Sequence, residues 1–521
     1  MASSEDSNET IFETLRKGVD PKIQEEKLRE AAARQDAVNA KERRRLAELI
    51  GSNSTLPCTI SSIRVLNANH TRRSFIERIF KPIISANKER PFTFAEAIRE
   101  VSIGADKLHR YDIFHQPISL TIDQPSRTNP FSTPTDVDIY LTVREKSRLR
   151  LRTGTDIGNA EGSGYANLLW RNIFGGAETL NLNASLGTRT RSSYQAALEV
   201  PISAGSNADL RGEIGGLASS TQNGFASHEE VLKGAWAKAR WFGESGARHE
   251  FGYNATWRQV TGLASTASPT VRGDAGDSFK SSITHTWIKD RRDNSVIPTR
   301  GYFTKSILEL AGWGPLQGDV AFAKSEIQTQ GALPIPIPGV DGDSGVSLTT
   351  GFRAGLLYPL SIGFDFDNKA TPSRINDRFQ IGGPADVRGF RLSGLGPHDG
   401  ADAVGGDLYA AGSANLLFPI PRVGLDRPFR FQAFINGGRL LALKGPETTE
   451  KGIKSGEAVR KSLSSTIQEL GNGLPSIAAG IGLVYAHPAA RLELNFTLPL
   501  VLRKGEDARK GLQFGIGINM L

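Results

Sequence analysis

Ser344 lies within Gly342–Gly345, the run GDSG, and a serine between an acid and a glycine can serve as an acyl-transfer nucleophile when a base and an orienting acid reach it. Here the run follows PIPIPGVD, so its Gly and Asp residues predict a hairpin connection instead. The eight histidines are scattered without metal-ligand spacing, and neither G-x-x-x-x-G-K-[ST] nor H-E-x-x-H occurs. Cys58 is the single cysteine, which excludes an internal disulfide and a cysteine metal cluster. The expectation is no catalytic residue, no cofactor and no metal. One charged group does stand out. Arg388 sits in GGPADVRGFRLSGLGPHDG, residues 382–400, where glycines allow a backbone to lie close against a wall and a guanidinium would need an anchor there. A plain surface turn is the competing reading.

A wall requires a sheet, and the chain beyond residue 147 is patterned for one. RLRLRTG alternates Leu149 and Leu151 with Arg148, Arg150 and Arg152, and TLNLNASLGT separates Leu180, Leu182, Ala184 and Leu186 from Asn181, Asn183 and Ser185. ARLELNFTLPL opposes Leu492, Leu494, Phe496 and Leu498 to Arg491, Glu493, Asn495 and Thr497. Strands of roughly 9 to 11 residues with one apolar face suit lipid on one side and a polar lumen on the other. Such segments recur near 148, 161, 179, 193, 207, 231, 248, 279, 301, 320, 346, 406, 429, 476, 490 and 511. Their even number suits a closed antiparallel barrel; a soluble sandwich or propeller is the alternative.

The chain has 521 residues, 56 of them Gly, and a net charge of +8 with 23% charged residues, too ordinary a balance to indicate nucleic acid. Mean hydropathy is −0.29. The long uncharged run Leu470 to Ala490 contains Gly471, Gly473, Gly480, Gly482, Pro475 and Pro488, which argues against a spanning helix. MASSEDSNETIFETL lacks the basic start and apolar core of a secretory signal. Residues 1–56 read as a charged helical extension, with i,i+4 pairs such as Glu25 and Arg29. Residues 57–147 alternate and recur as strand, helix, helix, strand, strand, a small α+β domain. Residues 148–521 are the barrel. The connections at about 359–405 and 439–475 are long, and the arginine lies in the first.

VRGF, Val387, Arg388, Gly389 and Phe390, resembles the loop signature of the outer-membrane β-barrel assembly superfamily, which includes bacterial BamA and the central barrel of the mitochondrial sorting and assembly machinery. GGDLYAAGSANLLFPIP from Gly405 is similar to that family's twelfth strand, FINGG from Phe434 to its thirteenth-strand motif, and DRRDNSVIPTRG from Asp290 to its turn before strand nine. The order of elements in 57–147 resembles a polypeptide-transport-associated (POTRA) domain. The fold expected is a β-barrel membrane protein, an about 16-stranded antiparallel transmembrane barrel with one N-terminal α+β POTRA domain.

In the family the loop arginine reaches the inner wall and pairs with a carboxylate. Here the acid of FxDxG is Asn436, and Leu417 stands at a second wall carboxylate, so Asn436, Asn415, Asp386 and Asp407 are the candidate anchors. The last strand, KGLQFGIGINML, resembles the recognition signal of mitochondrial barrels through Gln513, Gly515, Ile518 and Met520. The resemblance implies an insertase for β-barrel precursors in the mitochondrial outer membrane, with its N-terminal domain in the intermembrane space. Its lateral gate would lie between Arg148, Leu149, Arg150, Leu151, Arg152 and Thr153 of the first strand and Gln513, Gly515, Gly517, Ile518 and Met520 of the last. Partners implied are β-barrel precursors, peripheral subunits on the cytosolic face and outer-membrane lipids, with no nucleic acid. A related polypeptide- or metabolite-conducting channel is the alternative.

Overall fold

The computed structural model describes residues 41, 45, 48, 50–123, 133–158, 161–202, 210–243, 245–312, 315–336, 344–360, 373–420, 428–443, 456–487 and 490–517. The expected helical extension therefore lies almost wholly outside the described residues. The chain divides into two compact units, Met1–Lys146 and Ser147–Leu521.

In the first unit β1 (Pro57–Leu66) leads to α1 (Arg73–Glu89), β2 (Phe92–Thr93), α2 (Phe94–Arg110), β3 (Ser119–Asp123) and β4 (Asp136–Thr142). The four strands form one sheet in the order β2-β1-β4-β3, with β1 parallel to β4. Helix α2 starts where the sequence marks it. Thr93 accepts from the Glu96 N–H while the Glu96 carboxylate accepts from the Thr93 N–H, a reciprocal cap for two otherwise unpaired donors. The helices bury Phe75, Ile79, Phe80, Val101 and Leu108, and the sheet buries Ile60, Ile139 and Leu141. At Gly104 an added Cβ would stand 2.5 Å from the Phe80 ring, so this glycine lets α2 approach α1.

The second unit is a sixteen-stranded, barrel-like antiparallel sheet. Its strands are β5 (Leu149–Gly158), β6 (Glu161–Arg171), β7 (Thr179–Gly187), β8 (Thr190–Pro201), β9 (Arg211–Asn223), β10 (His228–Phe242), β11 (Arg248–Thr261), β12 (Gly276–Asp290), β13 (Gly301–Ala311), β14 (Phe322–Pro334) and β15 (Ser347–Pro359), followed by β18 (Leu408–Pro419), β19 (Phe429–Leu441), β20 (Ser476–His487), β21 (Ala490–Val501) and β22 (Gly511–Gly517). Each pairs with its neighbour in sequence order, from β5 at one edge to β22 at the other. Between β15 and β18 lies a loop carrying the two-residue pair β16 (His398–Asp399) and β17 (Asp402–Ala403). A short helix α3 (Pro269–Gly273) follows β11, and α4 (Gly456–Gly471) precedes β20.

Burial alternates in the sense opposite to a water-soluble sheet. On β21 the apolar residues Leu494, Phe496, Leu498 and Leu500 are 41–55% exposed, while Arg491, Glu493, Asn495 and Thr497 are at most 3% exposed. On β19, Phe429, Phe431 and Ile435 face outward and Arg430, Gln432, Phe434 and Asn436 inward. Large apolar side chains on the outside and charges within match a sheet whose outer solvent is lipid. No described helix is long and apolar enough to cross a membrane. The strands expected from alternation are present, and the boundaries differ by a few residues where a turn residue could extend either strand.

Candidate functional site

The described part of the loop between β15 and β18, residues 373–407, folds onto the polar face of the sheet. Phe379, Ile381, Val387, Phe390 and Leu395 form one buried cluster with Leu357, Tyr409, Ala411, Leu440 and Ala478 of the strands. Gly389 has φ +89°, and a Cβ there would stand 2.5 Å from the Ala478 Cβ. A left-handed backbone pressed against a strand is what glycine permits and other residues resist.

Between the buried Val387 and Phe390, the Arg388 side chain is itself fully buried. Its Nε donates to Glu493 Oε2 at 2.8 Å and its Nη2 to Glu493 Oε1 at 3.1 Å, a bidentate fork. Nη1 donates to Asn415 Oδ1 at 3.2 Å, and the guanidinium carbon lies 4.8 Å from the Phe434 ring centroid. Glu493 also accepts from Arg491 Nε at 2.5 Å and from Asn495 Nδ2 at 2.8 Å. Arg491 extends the network to Gln432 Oε1 at 2.9 Å and to the Val296 carbonyl at 3.3 Å. One carboxylate thus serves two buried cations. Small residues make the room: Gly480 and Gly482 occupy the same face of β20, and a Cβ at Gly482 would collide with the Asn495 side chain.

The four expected anchors divide. Asn415 meets the guanidinium. Asn436 holds the backbone: with its amide oriented by the surrounding donors and acceptors, its oxygen accepts from the Arg388 N–H at 2.7 Å and its nitrogen donates to the Arg388 and Ala478 carbonyls at 3.2 Å. Asp386 and Asp407 are corrected, because both are engaged elsewhere. Asp386 pairs with Arg353 and accepts from the Gly382 N–H at 2.9 Å. Asp407 accepts from Ser373 Oγ at 2.5 Å and from the Leu443 N–H at 2.9 Å. Glu493 was not among the candidates, although its parity in ARLELNFTLPL put it on the polar face.

The turn 290–301 ends beneath this network. Asp293 accepts from the Thr299 and Arg300 N–H groups at 3.0 and 3.1 Å and from Thr299 Oγ1 at 2.6 Å. Burial raises the affinity of its carboxyl for a proton, but these donors together hold it below the usual aspartate range. The carbonyl of Pro298 accepts from Ser347 Oγ at 3.3 Å. Through Val296 and Pro298 the turn is tied to the strands that hold the loop.

At the sheet edges, Leu149 and Leu151 of β5 are 57% and 64% exposed. Arg150, Arg152 and Thr153 are exposed too, whereas Arg148 donates to the Ile173 carbonyl at 3.0 Å. On β22, Gln513 accepts from the Gly389 N–H at 3.0 Å, which joins the loop to the last strand. Gly515 and Gly517 pair with Glu493 and Arg491 of β21; Ile518 and Met520 lie outside the described residues. The Cα atoms of β5 and β22 come within 8 Å, yet no ladder joins them among the described residues. A cavity of about 830 Å³ lies beside β22, lined by Arg189, Phe225, Phe390, Arg509, Gln513 and Phe514.

Ser344 Oγ donates to the Ile335 carbonyl at 2.5 Å, a turn contact. Gly342 and Asp343 lie outside the described residues. Among the described residues no three His, Cys, Asp or Glu side chains are grouped to hold a metal.

Residues 172–520 match the model of the Omp85 superfamily domain. A SAM50-like protein of Schizosaccharomyces pombe is 40% identical, over 91% of this chain and 94% of its own. The sorting and assembly machinery component 50 homolog of Mus musculus is 31% identical over 82% and 84%. In fold, the chain is similar to BamA from Haemophilus ducreyi lacking POTRA domains 1–3, with a TM-score of 0.65 at 16% identity over 88% and 84% of the two chains.

Proposed function

We propose, from the premise that this chain belongs to the Omp85 superfamily and is a SAM50-type component of the sorting and assembly machinery, that it inserts β-barrel precursors through a seam between β5 and β22. It is a membrane-protein insertase and not an enzyme. In this reading the sixteen strands close into a transmembrane barrel in the mitochondrial outer membrane, with residues 57–147 as a POTRA domain in the intermembrane space. The described sheet supports closure by its even strand number and by the approach of its two edges. The small four-stranded sheet supports the POTRA reading through its element order.

The physical task is to move a strand into hydrocarbon without baring its amide groups, each of which costs several kcal/mol when unpaired. A free strand edge solves it by supplying hydrogen bonds as the precursor leaves water. The observation that carries the proposal is that β5 and β22 are neighbours that no ladder joins among the described residues. The segment from Arg148 to Thr153 is the edge offered to the precursor's last strand. The segment holding Gln513, Gly515, Gly517, Ile518 and Met520 is the edge it displaces, and glycines there weaken the strand. The loop anchored by Arg388 braces the lumen beside that edge. Precursors, outer-membrane lipids and peripheral subunits on the cytosolic face are its partners. A conduit needs a clear lumen, and the loop's buried packing on the polar face weighs against one.

A cysteine at Thr153, in a Thr153→Cys protein, tests this with an arrested precursor carrying a cysteine in its last strand. Adducts along the seam are expected. Adducts confined to lumen-facing positions of other strands would contradict the proposal.

A further inference from the structure

The loop carries a second charged contact, on strands remote in the sheet from Glu493. Asp377, between the buried Ile375 and Ile381 of the loop, is 2% exposed, and Arg258 of β11 is 3% exposed. Arg258 Nη1 donates to Asp377 Oδ1 at 2.6 Å. The two contacts have opposite polarity. At Arg388 the loop provides the cation and the wall the anion; at Asp377 the loop provides the anion and the wall the cation.

Lys280 is the one other cation paired with Asp377 among the described residues, at a longer distance. Among the described residues, Arg258 Nε and Nη2 and Asp377 Oδ2 have no hydrogen-bond partner, which leaves the bond from Arg258 Nη1 to Asp377 Oδ1 as the side-chain hydrogen bond that joins the two charges. Lys280 Nζ stands 3.8 Å from Asp377 Oδ1 and lies 2.9 Å from Glu309. The backbone at this point is also gripped. Lys324 Nζ donates to the Asp377 carbonyl at 2.7 Å and lies 4.4 Å from the Phe379 ring centroid. Asn376 donates to Glu230, and the Ile375 N–H donates to Asp274 Oδ2 at 2.9 Å.

From Asp377 the chain runs through Phe379 and Ile381 into the cluster that buries Val387 and Phe390. Ile381 bridges Leu395, and the Gly382 N–H is bound by Asp386. A close-packed segment of this kind transmits a displacement instead of absorbing it. We infer that Arg258 and Asp377 are positioning residues for the insertase: this latch, formed with β11, sets the loop so that Arg388 meets Glu493 and Gly389 meets Gln513. The inference rests on the insertase reading only for its consequence on insertion; the latch itself is a statement about where the loop lies.

The test uses the full-length protein in lipid with Arg391→Cys and Asp507→Cys as a reporter. Arg391 is an exposed residue of the loop and Asp507 an exposed residue of the connection between β21 and β22, and the Arg391 N–H donates to the Asp507 carbonyl at 3.0 Å. Disulfide yield between them reads loop seating, and insertion of a barrel precursor is measured in parallel. Asp377→Asn or Arg258→Gln should lower the yield by at least about tenfold, since stranding a buried charge costs more than that factor represents. The exchanged pair R258D/D377R should recover a substantial part of it, which a fold merely weakened at both positions would not do. Arg258→Lys, with its charge but without the planar fork, should fall between. Unchanged yield in D377N, or no recovery in the exchanged pair when both proteins resist alkaline extraction, would overturn the latch. Lower yield with undiminished insertion would leave the latch standing and refute the loop's part in insertion.

Discussion

Replacing Glu493 by Gln keeps the shape of the wall and removes its charge. Arg388 then loses a bidentate partner at 2.8 and 3.1 Å, and Arg491 loses one at 2.5 Å. Both guanidinium groups are nearly inaccessible to water. Breaking a buried pair from one side costs about 3–5 kcal/mol, and here one substitution strands two cations, so Glu493→Gln belongs at the upper end. Arg388→Gln is gentler, because Glu493 retains Arg491 and Asn495. Arg391→Ala breaks an exposed contact of 3.5 Å with Asp507, worth about 0–1 kcal/mol. The order of damage expected is E493Q, then R388Q, then R391A. Heat-induced conversion from the folded to the unfolded electrophoretic form, with urea as a second denaturant, reads this order in purified protein. E493Q as resistant as the unaltered protein, or more resistant than R388Q, would refute the reasoning about the shared carboxylate.

Asn436→Asp restores the acid that the family motif carries, yet it should destabilise by about 1–3 kcal/mol, since a carboxylate cannot donate to the Arg388 and Ala478 carbonyls; the same urea assay checks it. Gly389→Ala should unseat the loop, adding a left-handed strain of about 1–2 kcal/mol to a collision with Ala478, visible as faster proteolysis between residues 382 and 400. Asp293→Asn should loosen the 290–301 turn at neutral pH. Because folding lowers the Asp293 pKa, its contribution is complete above the unfolded value of about 3.9 and disappears as pH falls through the folded value. Hydrogen exchange of the Thr299 and Arg300 amides should therefore differ between variant and parent at pH 7 and converge in acid.

Strand alternation made the sheet readable, since residues 149–152 of β5 and the strands Thr179–Gly187 and Ala490–Val501 carry apolar residues at every second position, on one face. Parity also assigned Arg430, Gln432, Phe434 and Asn436 to the polar face, where they lie. The loop's partner was not readable in the same way. Parity places Glu493 on the polar face with many other residues, and which of them lies opposite Arg388 depends on the register of β21 against β22 and on how the loop folds. Asp386 looked better placed because it is near in sequence, but its carboxylate closes a local turn onto Gly382 and reaches Arg353. The glycines of β20 gave a clear negative signal against a helix. Their positive use, as space for Asn495 and Phe434, required the neighbouring strands. Asp377 and Arg258 form a contact across a long stretch of chain, and no local pattern marks it.

Cysteine pairs placed in residues 149–155 of β5 and 511–517 of β22 measure the seam directly, when precursor maturation is followed before and after reduction of the resulting disulfide. Maturation should stop while the two strands are joined and resume on reduction. Full maturation with the strands covalently closed would contradict insertion between them.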